Sequence, residues 1–241
     1  MGMARERGKT QILYLMSKSA EIFDEWPDKY DQWFTTPIGL LVRKYESELI
    51  VDCVQPGPGE LILDAGCGTG IFTLDLLSAG SRVVGLDISF PMLRRAREKQ
   101  EGHPFSPVWG DIPALPFRAE TFDKVVSVTA IEFVEDGKRA VAEMFSVVKR
   151  GGIVVVASLN SLSPWATRRK AEGQKGHAIF RSAIFRSPDE LASLAPVKGR
   201  VKTAIHFLKD DSPERAIEAE HEGRGQGLDT GAFAVSRWIK T

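Results

Sequence analysis

Three glycines fall within five residues in LILDAGCGTG (61–70): Gly66, Gly68 and Gly70, just after an apolar run and the acid Asp64. A glycine loop behind a buried strand lets backbone N–H groups approach a ligand closely. A dinucleotide pyrophosphate asks for G-x-G-x-x-G, and here Ile71 stands where the third glycine would be. No Gly-Lys-Ser/Thr follows, which excludes a phosphate-cradling P-loop as well. Asp64 adds negative charge beside a site that would otherwise receive phosphates, so a ligand without phosphate and with a positive charge fits better. Cys67 lies between the glycines, with its backbone toward the ligand and its thiol read as packing rather than as a nucleophile. Two more acids, Asp87 in VVGLDIS and Asp111 in GDIPALPF, stand at the ends of later apolar runs. A single carboxylate can accept two adjacent O–H donors.

The elements that must position these residues alternate in period. LILDA (61–65), RVVGLD (82–87), SPVWGD (106–111), the apolar run inside FDKVVSVTAIEF (122–133) and IVVVASL (153–159) read as strands. Helices are predicted between them, over IFTLDLLSAG, PMLRRAREKQ with Ser89 as N-cap, and the stretch marked by Val141, Met144, Phe145 and Val148. VKTAIHFL (201–208) and AFAVSRWI (232–239) add two strands, and SPDELASL predicts a helix capped by Ser187. Between those strands the polar stretch 210–231 reads either as an ordered lid or as a loose connection. Strand–helix alternation implies right-handed crossovers. The expected fold is α/β, a Rossmann-like three-layer sandwich with a mostly parallel seven-stranded sheet and helices on both faces. Residues 1–55 are expected to be an N-terminal helical lid or extension, and 56–241 the α/β domain. In the extension Phe23, Trp26, Tyr30, Trp33 and Phe34 recur at spacings of three and four, with Pro27 as a helix start; QPGPGE (55–60) ends the helical region.

The 241 residues carry 32 basic and 32 acidic side chains, so no overall field draws the chain to nucleic acid or an anionic membrane. The two cysteines show no CxxC spacing and the four histidines are scattered, which argues against a disulfide framework or a structural metal and points to a reducing cytoplasm. The early apolar run ILYLM is too short for a signal-peptide core, and Glu6 stands where myristoylation after Gly2 would need Ser or Thr. No run is long enough to insert into a bilayer.

With these residues in view, D-A-G-C-G-T-G resembles the first motif of the class I S-adenosylmethionine-dependent methyltransferases, of the small-molecule, methyltransferase type 11-like group. The resemblance continues in order through Asp87, Asp111, TAIEFVED (129–136) and VKRGGIVVVAS. It implies S-adenosylmethionine as cofactor and S-adenosylhomocysteine as product. It assigns Asp87 to both ribose hydroxyls and Asp111 to the adenine amino group, with Ile112 beside the ring. Asp64, Gly66, Cys67, Gly68, Gly70, Ile88, Thr129 and Tyr30 complete the cofactor set that the resemblance suggests. Methyl transfer from a sulfonium is an in-line displacement with a neutral leaving group, in which alignment and water exclusion supply much of the catalysis.

Absences narrow the acceptor. The D/N-P-P-Y/F/W motif of amino-methyltransferases is missing, and Thr129-Ala130-Ile131-Glu132 stands in its place. A covalent cysteine for cytosine C5, several thiols for arsenite and the carboxylates that hold magnesium in the catechol type are missing too. A small or lipid-like acceptor is left. Its group often carries a histidine where this chain has Glu132, which makes Glu132 either an acceptor-pocket base or cation partner, or an exposed helix-start glutamate. Tyr30, Trp33 and Phe34 resemble a lid segment, with packing on the sheet edge as the alternative. His177 and Phe180 are placed to close the pocket from the other side, although His177 and His206 read first as packed side chains. The basic run Arg168, Arg169, Lys170, Lys175, Arg181, Arg186 suggests a second function, methylation of RNA or protein through the 165–187 insert, against a solvated helix face. A third reading is an S-adenosylmethionine-binding module without transfer activity. Oligomeric state is not legible.

Overall fold

The computed structural model describes residues 23–241. The expectations for residues 1–22, their helical lid content included, lie outside the described residues. Seven strands form one sheet in the order β3-β2-β1-β4-β5-β7-β6. They are β1 (Leu61–Ala65), β2 (Arg82–Asp87), β3 (Phe105–Trp109), β4 (Phe122–Val128), β5 (Val148–Leu159), β6 (Arg200–Ala204) and β7 (Phe233–Ile239). The first five run parallel, and β7 enters antiparallel to both β5 and β6. The expected fold class is the one observed.

Helix α1 (Pro27–Trp33) starts at Pro27, and α2 (Pro37–Val54) is capped by the Thr36 hydroxyl, which accepts from Gly39 N–H. Then follow α3 (Thr73–Ser78), α4 (Phe90–Lys99), α5 (Gly137–Val147), α6 (Pro164–Gln174), α7 (Ala178–Ser182), α8 (Pro188–Ala192) and α9 (Pro213–Gln226). Ser89 caps α4, and Ser187 and Glu190 form a reciprocal capping box on α8, as S-P-D-E predicts.

Alternate strand residues feed two apolar layers. Ile62, Val126 and Val155 join Val42, Tyr45 and Leu49 of α2 and Ala216 of α9 on one face. Leu63, Val125 and Val154 join Ala140, Val141 and Met144 of α5 and Leu191 of α8 on the other. The expected extension thus splits. α2 belongs to a layer of the sandwich, whereas Phe23 to Trp33 lie over the carboxyl ends of the strands.

Three boundaries move. β5 begins at Val148 rather than after Gly151-Gly152, and its pairing with β4 shifts register between Phe122 and Lys124 to absorb the glycine pair. β6 stops at Ala204 because Ile205 takes φ +67°, which leaves His206 off the strand and packed against Gly223. Most of the 210–231 stretch is neither lid nor loose connection but α9, capped by Ser212 and stopped by Gly227 at φ +65°.

Candidate active site

The sheet order reverses between β1 and β4, and a crevice at such a point, beyond the carboxyl ends of parallel strands, is where open α/β sheets bind ligands. A cavity of about 720 Å³ opens there. Asp64, Gly66, Cys67 and Gly68 line it from β1, Asp87 and Ile88 from β2, Asp111 and Ile112 from beyond β3, and Thr129 and Ala130 from beyond β4.

The loop glycines differ in their surroundings. All three have positive φ, at +81°, +53° and +75° for Gly66, Gly68 and Gly70. A Cβ on Gly66 would stand 2.4 Å from the Ala130 Cβ, whereas one on Gly68 would meet open space. Gly70 does not line the cavity. A Cβ there would stand 2.9 Å from Gln100 Nε2, and its carbonyl accepts a hydrogen bond from that amide at 2.9 Å. Its place among the expected ligand contacts is therefore corrected: it fits the loop tightly onto α4.

Asp87 is held from behind. Gly68 N–H donates to Oδ2 at 2.8 Å and Ser89 N–H to Oδ1 at 2.9 Å, which orients the carboxylate toward the cavity. Burial pushes Asp87 and Asp111 upward from the ordinary carboxylate range, against the pull of backbone N–H groups. Asp64 is buried, accepts from Thr73 Oγ1 at 2.6 Å, and burial raises it to about 7. The Cys67 thiol packs over Gly85 of β2, and burial with the nearby Asp64 and Asp87 pushes it well above its usual range. That thiol holds its proton, as a packing group does. Thr129 keeps φ +48°, an unfavourable backbone for a β-branched residue, and its N–H donates to Ala157 O at 2.9 Å.

The other half of the cavity is aromatic. Phe23, Trp26, Tyr30, Trp33 and Phe34 come from the N-terminal segment, Phe72 from ahead of α3, Phe133 from beyond β4, and Trp165, His177 and Phe180 from the segment after β5. His177 stacks on Phe180 at 4.4 Å and meets Trp26 at 5.5 Å, so the two segments join over the cavity. Tyr30 packs edge-on to Phe34 at 5.3 Å, and its phenol is raised by burial first and by Glu46 second. The N-terminal segment is fastened to the glycine loop. Asp31 Oδ1 accepts from Thr69 Oγ1 at 2.8 Å and from Lys99 Nζ at 2.5 Å, and Asp31 Oδ2 from Arg95 Nε at 3.3 Å. Ser89 Oγ donates to Asp24 Oδ1 at 2.7 Å.

Glu132 does not stand in the cavity wall, nor is it exposed. It is fully buried, its Oε1 accepts from Leu159 N–H at 2.6 Å to tie the ends of β4 and β5, and burial raises it to about 7. Both sequence-based alternatives for it are corrected by the short bond to β5, which turns the side chain inward. A buried carboxyl that does line the aromatic half is Glu46 of α2, 6% exposed and raised to about 8, chiefly by burial. The sequence gives little sign of it, because Glu46 directly follows Tyr45 inside a stretch whose apolar residues Leu41, Tyr45 and Leu49 at i, i+4 mark only a packed helix face.

The basic run does not form one face. Arg168 pairs with Glu172 and Asp210, Arg169 points into the cavity wall, and Arg186 is buried with Nη1 donating to Ile131 O at 3.0 Å. His206 lies away from the cavity lining.

Comparison with known proteins settles the family. Residues 63–156 match a family model described as a methyltransferase domain. Over 190 residues the chain is 30% identical to a demethylmenaquinone methyltransferase of Thermobifida fusca, covering 71% of this chain and 80% of that one. The chain belongs to the class I S-adenosylmethionine-dependent methyltransferases. This methyltransferase is also 37% identical, over 119 residues, to a malonyl-[acyl-carrier protein] O-methyltransferase of Salmonella typhimurium, a match that spans about half of each chain, 48% and 47%. A solved S-adenosylmethionine-dependent methyltransferase of Thermotoga maritima, described as a possible histamine N-methyltransferase, shares the fold with a TM-score of 0.68 at 23% identity, over 92% of this chain and all of that one. The cofactor of the methyltransferase is S-adenosylmethionine. The lining at the strand ends fits it: three carboxylates, open space over Gly68, and an apolar Ile112 side chain beside them.

Proposed function

We infer that this methyltransferase acts on a small-molecule acceptor enclosed by the aromatic half of the cavity. One observation carries the reading: the acid-and-glycine end and the aromatic end form a single cavity, roofed where Trp26 meets His177. Asp87, preset by two backbone donors, accepts the ribose hydroxyls. Asp111 takes the adenine amino group, with Ile88 and Ile112 along the ring. Asp64 balances positive charge at the amino-acid end, and the backbone from Gly66 to Gly68 lies against it. Bound S-adenosylmethionine supplies an activated methyl group on a sulfonium with a neutral thioether as leaving group. Thr129 and Tyr30 border the junction of the two halves, where the aromatic walls exclude water and align the acceptor. A base is required only by an acceptor that keeps a proton.

Dispersal of the basic run weighs against an RNA or protein acceptor, since a polyanion needs cations on a common face. No helix of the described residues is long and apolar enough to cross a membrane, and the two cysteines are free, in keeping with a reducing cytoplasm.

The test is a transfer assay with methyl-labelled S-adenosylmethionine offered separately to a small-molecule extract, total RNA and denatured protein. Label should enter the small-molecule fraction. Incorporation confined to RNA or protein would overturn the reading.

A further inference from the structure

The aromatic half contains a cation with no ion-pair partner among the described residues. Arg169 of α6 lines the cavity with its guanidinium carbon 5.1 Å from the Trp165 ring and 5.9 Å from Phe180. Its Nη1 is buried and has no hydrogen-bond partner, and among the described residues the side chain enters no ion pair. Its acidic neighbours Glu46, Glu132 and Glu172 act on it only through longer-range attraction. The other cations of the lining are differently placed: Arg168 is paired with Glu172 and Asp210, Lys29 and Lys209 each lie 5.3 Å over a ring, Trp26 and Trp33, and Arg139 acts on Asp111 at the strand-end side.

Burying a charged fork without acceptors is unfavourable, and a ligand that supplies the acceptors would relieve it. Burial raises Glu46 well above the usual carboxylate range, which makes it a weaker counter-charge for the guanidinium. The Trp165 and Phe180 rings lie 5.1 and 5.9 Å from the guanidinium carbon, and a planar fork of N–H donors suits a bidentate carboxylate.

We propose that the methyl acceptor is an apolar or aromatic molecule bearing a carboxylate, and that Arg169, clasped by Trp165 and Phe180, selects it by pairing with that carboxylate. The proposal rests on the small-molecule reading above and deepens it. Glu46 lies beside the same space and meets the uncharged remainder of the acceptor.

The test uses the full chain saturated with S-adenosylhomocysteine and probes matched in shape: phenylacetate and indole-3-acetate against their primary amides, followed by calorimetry. Each acid should bind roughly tenfold more tightly than its amide. Arg169→Met should erase that preference, and Arg169→Lys should keep part of it. Removing an unpaired buried charge should also leave the thermal midpoint of Arg169→Met equal to or above wild type, whereas a merely structural arginine would lower it. Equal binding of acids and amides, no binding of any probe, or an intact preference in Arg169→Met would overturn the proposal. If the wild type failed to bind S-adenosylhomocysteine, the functional reading would fall by itself. The acid–amide comparison would then be made on the free chain, where the same preference is required.

Discussion

Gly66 and Gly68 share a left-handed backbone but face different neighbours, and this separates what fold and ligand demand of the same loop. A methyl on Gly66 meets the Ala130 Cβ at 2.4 Å, so Gly66→Ala should cost about 1–3 kcal/mol and lower the thermal midpoint measurably. A methyl on Gly68 meets open space, so Gly68→Ala should lose only about 1 kcal/mol while standing where the cofactor lies. Thermal denaturation with and without S-adenosylhomocysteine checks both: the first variant suffers in either condition, the second mainly loses the ligand-induced rise. That this loop turns at a cavity was legible from glycines directly behind an apolar strand, and Gly66 and Gly68 line one. That Gly70 serves α4 was not, since its partner Gln100 is 30 residues away. Glu132 was misread for a similar reason: its acceptor role toward Leu159 N–H depends on β4 and β5 being neighbours.

At the scale of elements, Asp31 is the fastening of the N-terminal segment that reaches the glycine loop, bridging Thr69 of the loop and Lys99 of α4, beside the bond from Ser89 to Asp24. Cofactor loop and roof are thereby tied to each other. Asp31→Ala removes a partly exposed pair worth about 1 kcal/mol, so S-adenosylhomocysteine should bind roughly fivefold more weakly. Proteolysis near residues 23–36 should also accelerate, and an unchanged cleavage rate would sink the latch. The aromatic spacing around Pro27 announced this helix, but not where it docks, because packing and lid roles ask for the same periodicity. α9 escaped notice for the opposite reason. PERAIEAEHEGRGQ buries little more than Ala216, Glu220 and Gly223, so its apolar period is faint and only Ser212 and Gly227 mark its ends.

Across the whole molecule, several buried carboxyls have folded-state values above their unfolded ones: Glu46 at about 8, Asp64 and Glu132 at about 7. Such groups favour the fold fully below their unfolded values near 4, and that contribution is lost as pH rises through 7 to 8. Asp123 and Glu190, held low by Lys149 and by the Ser187 cap, act oppositely and weaken the fold only in acid. The ligand-free thermal midpoint should therefore be highest at mildly acidic pH and fall toward about pH 8.5. Glu46→Gln, which leaves Arg43, Arg169, Tyr30 and Glu132 around a neutral amide, should flatten that fall; an unchanged slope would mean Glu46 ionises freely. The overall architecture was legible because strand period, glycine turns and caps agree along the chain. That Arg169 and the inward acid Glu46 line one cavity was not, because the two are brought near each other only by the fold. The central claim is that the crevice beyond β1 and β2 holds an adenosyl sulfonium through Asp87, and titration calorimetry tests it most directly. Wild type should bind S-adenosylhomocysteine and ignore NAD, and Asp87→Ala should weaken binding by about 10- to 100-fold; a chain that binds NAD but neither adenosyl ligand, or an Asp87→Ala variant that binds S-adenosylhomocysteine as wild type does, would contradict it.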